Sequence, residues 1–192
     1  MTQAQTQPQP PAGEIILSYD DYLKLPEDGN RYEILEGVLY VTPAPVPRHQ
    51  RVLRDLSHIL HGFVSANNLG EVFYAPVDVV FSRTSVAQPD LIFISREKLH
   101  LITEKNIAGP PDLVVEILSP STSERDRLVK AQVYAKHGVD YYWLLDPETK
   151  TLEEYRREEK TFTLLSAVQG DSTFSPKLFP GLEIDLGQVW AN

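Results

Sequence analysis

Two apolar segments of the sequence each carry an acidic residue at a position where a charge is costly. Residues 112–118 read DLVVEIL with Glu116 inside the run, and residues 90–94 read DLIFI with Asp90 at its start. Unbroken runs of this kind are typical of strands that are covered on both faces. An ionised carboxylate buried in such a strand must pair with a cation, take up a proton or bind a metal.

Asp90 and Glu116 together predict a divalent-cation site. Mg²⁺ takes oxygen ligands, commonly one or two carboxylates completed by water and substrate phosphate. Neighbouring strands lie about 5 Å apart, so an aspartate on the adjacent strand can reach the ion that Glu116 binds. Asp112 is the rival ligand, but four extended residues separate it from Glu116 by about 13 Å. Three alternatives stay open: an arginine neutralises Glu116, Glu116 faces water on an edge strand, or Asp90 only begins a strand after a turn.

The helix predicted after this strand carries Lys130, the candidate cation of the site. Asp126 and Lys130 are spaced i,i+4, and the simplest interpretation is a surface ion pair worth about a few tenths of a kcal/mol. Val133 and Tyr134 flank Lys130 around the helix, however, and this pattern indicates that the lysine faces inward. Residues 119–122, SPST, precede the helix and either cap it or offer their amides to an anion.

The pattern around these residues predicts a mixed α/β domain with more strand than helix. Residues 48–66 form the clearest helix, because apolar side chains recur on one side at the helical period. The other side of this helix is basic or titratable and includes Arg48, Arg51, Arg54, His58 and His61. The remaining predicted elements are a short helix at 18–25, a hairpin at 31–35 and 38–42, strands at 72–81, 88–94, 112–118 and 140–145, a helix from Ser121 or Ser123 to His137, a hairpin at 151–157 and 161–167, and one short strand in an irregular C-terminal region.

Composition and charge limit the class of protein. The 192 residues include no cysteine, which excludes disulfides, thiol catalysis and thiolate metal sites, and their formal net charge is −9. A protein that coats DNA without sequence preference is usually basic, so this charge argues against that role, but not against a nucleic-acid enzyme with a local basic patch. We expect residues 1–13 to be a disordered tail and residues 14–192 to be one domain. The sequence shows no membrane-length apolar run and no signal peptide, which predicts a cytoplasmic location.

Residues 111–122, PDLVVEILSPST, resemble the signature of the Uma-two family, restriction-endonuclease-like proteins of the PD-(D/E)xK nuclease superfamily that are abundant in bacteria. The resemblance implies a restriction-endonuclease-like fold, in which a mixed β-sheet is flanked by helices and extended by additional N- and C-terminal strands. It covers about residues 17–186, and the further matching segments, in the same order, are 32–37 (YEILEG), 49–50 (HQ), 89–90 (PD), Asp126 with Lys130 and Tyr134, 138–139 (GV), 142–143 (YW), 146–147 (DP) and 180–182 (PGL).

The resemblance also implies roles for individual residues. In a nuclease of this kind, Asp90, Glu116 and the carbonyl of Ile117 bind Mg²⁺, or Mn²⁺ in its place. Glu33 is a further acidic residue near the metal. An equally good interpretation is that Glu33 is an ordinary carboxylate of the hairpin, without a role at the metal. All of these positions follow from matching the family pattern onto this sequence.

The implied activity is that of a Mg²⁺-dependent endonuclease that hydrolyses phosphodiester bonds, with DNA as the favoured partner. The sequence departs from the superfamily at Leu118, where a lysine is expected, and Lys130 is expected to replace it by orienting the attacking water or helping to deprotonate it. A homodimer is a further expectation, because cutting two strands needs two sites. Two other interpretations stay open: a nuclease-fold binding or regulatory protein without turnover, and a structural protein whose buried carboxylates pair with arginine. The residues expected to contact the nucleic-acid backbone are Arg48, Arg51, Arg54, Arg125 and Arg127.

Overall fold

The computed structural model describes residues 15–42 and 44–190, and the tail predicted at 1–13 lies outside them. The described residues have the predicted mixed α/β architecture, and none of their helices combines the length and apolar character needed to cross a membrane. In chain order, the helices and strands are α1 (Tyr19–Tyr22), β1 (Arg31–Leu35), β2 (Val38–Thr42), α2 (Pro47–Ala66), β3 (Gly70–Tyr74), β4 (Val79–Ser82), β5 (Ser85–Ala87), β6 (Leu91–Ser95), a 3₁₀ helix (Arg96–Leu101), β7 (Leu113–Ile117), α3 (Ser123–Arg125), a π turn (Asp126–Lys130), α4 (Ala131–His137), β8 (Tyr141–Asp146), β9 (Thr151–Glu158), β10 (Thr161–Gln169), β11 (Thr173–Phe174), β12 (Ile184–Asp185) and α5 (Leu186–Trp190).

Six strands form the main sheet, in the order β10-β9-β8-β7-β6-β3. β7 and β8 are parallel, whereas the other neighbouring pairs are antiparallel. Parallel neighbours need a crossover connection, and the helical segment from α3 to α4 provides it. A smaller sheet has the order β2-β1-β5-β4, and β11 pairs with β12 in a separate two-stranded ribbon.

A different apolar cluster covers each face of the main sheet. On one face, α2 contributes Leu56 to a cluster that includes Val115 of β7. On the other face, the smaller sheet and α4 contribute Leu35 and Val133 to a cluster that includes Val114. Each fully buried side chain of this size contributes about 1.5–3 kcal/mol. Because both faces are covered, β7 is buried along its whole length, as its apolar run predicts.

The chain between residues 70 and 95 differs from the predicted pattern. The sequence predicts one strand at 72–81, but β3 ends at Tyr74 and β4 begins only at Val79. Pro76 lies in the gap, and a proline cannot donate a hydrogen bond within a sheet. The strand predicted at 88–94 begins only at Leu91, and the backbone N–H of Gln88 donates instead to a side chain on β1. The three-residue β5 is absent from the prediction.

The helix predicted to end at His137 contains an irregular turn. Residues Asp126–Lys130 form a single π turn between α3 and α4, and Gly138 ends the helix in the left-handed conformation at φ 97°, as expected of a glycine at this position. Isolated π turns are frequent at functional sites. The C-terminal region is also more regular than predicted, since it forms β11, β12 and α5 rather than one short strand.

Candidate functional site

A cavity of about 220 Å³ lies where the start of α2, the end of β7 and the π turn meet. Both strand carboxylates that the sequence singles out line it, and so does the helix lysine. The residues around the cavity are Arg31, Thr42, Ala44, Pro45, Val46, His49, Asp90, Glu116, Ile117, Ser119, Pro120, Ser121, Thr122, Arg125, Asp126 and Lys130.

The strand register brings Asp90 and Glu116 side by side. β6 and β7 are antiparallel neighbours, with Leu91 opposite Val115, so continuing this register by one residue places Asp90 opposite Glu116. Both carboxylates are 2% exposed. Adjacent positions on neighbouring strands lie within reach of one bound ion.

Asp90 is held by an arginine, a histidine and one backbone amide. The Arg31 guanidinium donates to Oδ1 at 3.0 Å, while His49 Nε2 and the backbone N–H of Ile117 approach Oδ2 at 3.0 and 2.8 Å. Burial alone would raise the pKa of Asp90, but the His49 hydrogen bond and the charges of His49 and Arg31 outweigh it and lower this pKa to about 2. Asp90 therefore stays ionised.

Glu116 receives both of its hydrogen bonds at Oε1. The Lys130 ammonium donates to this oxygen at 2.9 Å, and the Tyr134 hydroxyl donates at 2.6 Å. Burial raises the pKa of Glu116, and the ammonium of Lys130 opposes that rise. Burial alone would lower the pKa of Lys130, but Glu116 and the neighbouring carboxylates raise it instead. The lysine therefore carries a proton within this cluster.

Lys130 also contacts the carboxylates of Glu33 and Asp126. Its Nζ lies 2.9 Å from Glu33 Oε1 and 3.5 Å from Asp126 Oδ1, and the lysine itself is 1% exposed. The inward orientation predicted for Lys130 is thus confirmed, and the alternative of a surface pair with Asp126 is wrong. Glu33 Oε2 and Asp126 Oδ1 are buried and have no hydrogen-bond partner.

Three carboxylates and three permanent cations line the cavity: Asp90, Glu116 and Asp126, and Arg31, Arg125 and Lys130, with His49 as a further titratable group. Glu33 lies outside this lining but adds a fourth carboxylate to the cluster, because its Oε1 lies 2.9 Å from Lys130 Nζ. Within 15–42 and 44–190, no three His, Asp or Glu side chains converge closely enough to hold an ion by themselves. Mg²⁺ needs only one or two carboxylates, so the adjacent carboxylates of Asp90 and Glu116 fit such an ion, with Asp126 Oδ1 as a buried oxygen without a hydrogen bond in the same cavity.

Two other candidates from the sequence are Asp112 and the SPST segment. The rival ligand Asp112 lies outside the cavity lining, because it accepts the backbone N–H of Ser95 at 2.7 Å and lies 3.2 Å from the ammonium of Lys98. The residues of the SPST segment line the cavity. The hydroxyls of Ser119 and Thr122 lie 3.0 Å apart in this wall.

The predicted backbone-contacting arginines are distributed unevenly. Arg125 lines the cavity, donates to Thr42 Oγ1 at 2.7 Å and lies over the ring of Tyr40. The others are not part of the cavity lining: Arg48 donates to the carbonyl of Pro147, Arg54 pairs with Asp55, Arg127 pairs with Glu153, and Arg51 is exposed on α2.

Sequence reasoning missed Arg31 and His49 as residues of the site. The position of each residue within its helix or strand could have indicated that its side chain faces the site. His49 precedes Val52 and Leu53 by three and four residues, which places it on the apolar face of α2. Arg31 precedes Glu33 by two residues on β1, so the strand period places both side chains on one face.

The family model named Uma2, with the description "Putative restriction endonuclease", matches residues 19–187. The chain belongs to the Uma2 family. This membership agrees with the resemblance read from residues 111–122 and with the order of the flanking segments.

One solved structure has a similar fold. It is described as a "putative nuclease belonging to DUF820 from Anabaena variabilis ATCC 29413", and it matches with a TM-score of 0.75 and 23% identity over 91% of this chain and 98% of that chain. At this identity the likeness shows the fold alone. No curated protein sequence is significantly similar to this Uma2 chain.

Proposed function

We propose that this Uma2 protein is a metal-dependent endonuclease that hydrolyses phosphodiester bonds of nucleic acid, with DNA as the favoured substrate. The observation that carries this proposal is the meeting of Asp90 and Glu116 in one cavity, with the Lys130 ammonium 2.9 Å from Glu116. Family membership and the nuclease-like fold support it. Because one cavity cuts one strand, we also propose a homodimer as the form that cuts both strands of a duplex.

Asp90 and Glu116, with the carbonyl of Ile117, are the groups proposed to hold Mg²⁺ or Mn²⁺. A bound divalent ion neutralises charge on the scissile phosphate and lowers the pKa of an attacking water. Arg31 and His49 prepare this position, because their contacts with Asp90 keep its carboxylate ionised and fixed in orientation. Such supporting contacts set the geometry of a metal ligand.

Lys130 is proposed to stabilise the negative charge that develops on the phosphate. Its raised pKa keeps the ammonium protonated, so it donates hydrogen bonds rather than accepting a proton from water. A fixed cation in a buried cavity acts at low dielectric, where its effect on charge is larger than in water. Glu33 and Asp126 hold the ammonium beside Glu116.

Arg125 and the hydroxyls of the SPST segment are proposed to bind the phosphate as well. The Arg125 side chain is 14% exposed, and its Nε is buried without a hydrogen-bond partner. A guanidinium with an unused donor suits a phosphate oxygen. The same wall carries the hydroxyls of Ser119, Ser121 and Thr122.

The proposal is tested with the full chain and labelled oligonucleotides, single-stranded and duplex, in Mg²⁺, Mn²⁺ or EDTA. We expect cleavage that needs the metal and falls by about 100-fold or more in Glu116→Gln and Asp90→Asn, which keep side-chain shape but remove a ligand charge. Asp112→Asn is the matched control. Asp112 lies outside the cavity lining, so this variant should cleave like the wild type. Undiminished cleavage by Glu116→Gln would overturn the assignment.

A second candidate is a nuclease-fold binding protein without turnover. One observation favours it: the carboxylates already lie against cations, Asp90 against Arg31 and the other three against Lys130. Calorimetric titration with Mn²⁺ separates the two candidates. The endonuclease requires binding that Glu116→Gln abolishes, whereas absent binding together with absent cleavage favours the second candidate.

A further inference from the structure

A second concave surface runs along the outer side of α2, between this helix and the edge strand β3. It encloses about 490 Å³, within the range of about 300–1,000 Å³ that small-molecule sites occupy. We call it the Tyr74 groove, and the residues that define it are Gln50, Arg54, Ser57, His58, His61 and Tyr74.

The Tyr74 groove begins next to the cavity. Tyr74 is the last residue of β3, and the backbone N–H of Ala75 donates to the carbonyl of Asp90 at 2.9 Å. On α2, His49 lines the cavity and the next residue, Gln50, lines the groove. The cavity and the groove therefore lie next to each other at the first turns of α2.

The groove pairs an exposed aromatic ring with a basic helix. Tyr74 is 61% exposed, although large aromatic side chains are usually buried or engaged in binding. Of the three arginines of α2, Arg54 lines the groove, and Arg48 and Arg51 lie outside its lining. With its one aspartate, the helix from Pro47 to Ala66 has a formal balance of +2 in a chain of −9. Asp55 orients the Arg54 guanidinium through contacts of 2.7 and 2.9 Å, and the Arg54 side chain is still 65% exposed.

This combination matches the chemistry of single-stranded nucleic acid. Proteins bind single strands by stacking bases on aromatic side chains while basic groups follow the phosphates. A base inside a duplex offers no free face, because its neighbours already stack on it. A solvent-exposed tyrosine beside a basic helix therefore favours an unpaired strand over a duplex.

We propose that the Tyr74 groove binds an unpaired segment of the nucleic-acid strand, with one base stacked on Tyr74 and phosphates beside the basic side of α2. This inference rests on the proposed function and adds that the strand being cut, including each strand of a duplex cut by the homodimer, is locally unpaired next to its scissile phosphate. Gln50, Ser57, His58 and His61 supply hydrogen-bonding groups along the same path.

The test measures binding rather than cleavage. Fluorescence anisotropy of a labelled 12-nucleotide single strand, in EDTA, compares the full chain with Tyr74→Ala and Tyr74→Phe. Stacking of one base predicts that Tyr74→Ala weakens binding by about 5- to 100-fold, whereas Tyr74→Phe, which keeps the ring, stays within about twofold. Leu164→Ala is the matched control, because Leu164 is 51% exposed on β10 at the opposite edge of the main sheet.

Several outcomes overturn the inference. Equal binding by Tyr74→Ala and the wild type refutes it, as does an equal loss for the single strand and a blunt duplex of the same sequence. A change from dimer to monomer in Tyr74→Ala, measured by light scattering, refutes it too, since the groove would then bind a second copy of the chain. Failure of the proposed function gives a different result, because the wild type then does not cleave in either Mg²⁺ or Mn²⁺.

Discussion

Replacing Lys130 with methionine tests how the charges of the cavity are balanced. Lys130 is 1% exposed, and its ammonium lies 2.9 Å from Glu33, 2.9 Å from Glu116 and 3.5 Å from Asp126. Methionine fills a similar volume but leaves three buried carboxylates without their common cation. Breaking one buried ion pair costs about 3–5 kcal/mol, a large part of the about 5–15 kcal/mol that stabilises a typical domain.

A second substitution separates this charge effect from lost packing. Glu33→Gln alone removes a hydrogen bond between charged groups and should cost about 1.5–3 kcal/mol. In Lys130→Met, the same substitution removes a buried charge that has lost its closest cation and keeps only Arg125, at 3.9 Å, so it should instead recover about 1–3 kcal/mol. The two effects have opposite signs, so the coupling energy between the two positions should be about 2 kcal/mol or more.

The free energy of unfolding of all four proteins is measured by urea denaturation at pH 7, with the fluorescence of the fully buried Trp143 as a probe. The reasoning is refuted if Lys130→Met lies within about 1 kcal/mol of the wild type, or if Glu33→Gln costs the same in both backgrounds. The double variant also isolates the chemical role of the lysine. It should fold and still fail to cleave, which a purely structural lysine would not predict.

Two further predictions concern residues next to and away from the cavity. Tyr142→Phe removes the buried hydroxyl that donates to the Asp126 carbonyl at 2.9 Å, at the start of the π turn. It should cost about 1–3 kcal/mol in urea denaturation and lower cleavage more than the control Tyr155→Phe; equal effects would show that the hydroxyl does not position the turn. Glu154 is fully buried, and burial raises its pKa above 4.5, so its protonated form favours the fold and this contribution is lost as the pH rises above 4.5. Glu154→Gln keeps an acceptor for the backbone N–H of Lys177, so it should gain stability relative to the wild type between pH 4 and pH 7, and a constant difference would contradict this sign.

The sequence predicted correctly those helices and strands whose conformation depends on residues close by in the chain. The hairpin at 31–35 and 38–42 has the predicted bounds, because Glu36 and Gly37 both adopt positive φ in the tight turn that joins the strands. The long helix differs from its prediction by one residue, Pro47, at its start. Predictions failed where a distant partner decides the conformation. The backbone of Gln88 leaves the strand pattern because it donates to Glu33, 55 residues earlier, and no local pattern records that contact.

The candidate site shows the same division between local and distant causes. Apolar runs singled out Asp90 and Glu116, and helix spacing indicated that Lys130 faces inward. Arg31 and His49 were missed, since what identifies them is contact with Asp90, 59 and 41 residues away in the sequence. The assignment of these residues to catalysis stays a proposal, whereas their convergence around one cavity is a property of the fold.

The energetics of the cavity argue for a ligand that brings positive charge. Buried ion pairs are often no more stabilising than apolar side chains of the same volume, so stability alone does not explain the seven ionisable groups that line one cavity. If this network of charged groups served only to stabilise the fold, its buried carboxylate oxygens would also accept hydrogen bonds from the protein. Here Glu33 Oε2 and Asp126 Oδ1 are buried without hydrogen bonds, each at a cost of about 1–3 kcal/mol, although Arg125 lies 3.9 Å from the first oxygen and Lys130 lies 3.5 Å from the second. A bound cation lowers this kind of cost, because it supplies ligand contacts to carboxylate oxygens that receive no hydrogen bond from the protein.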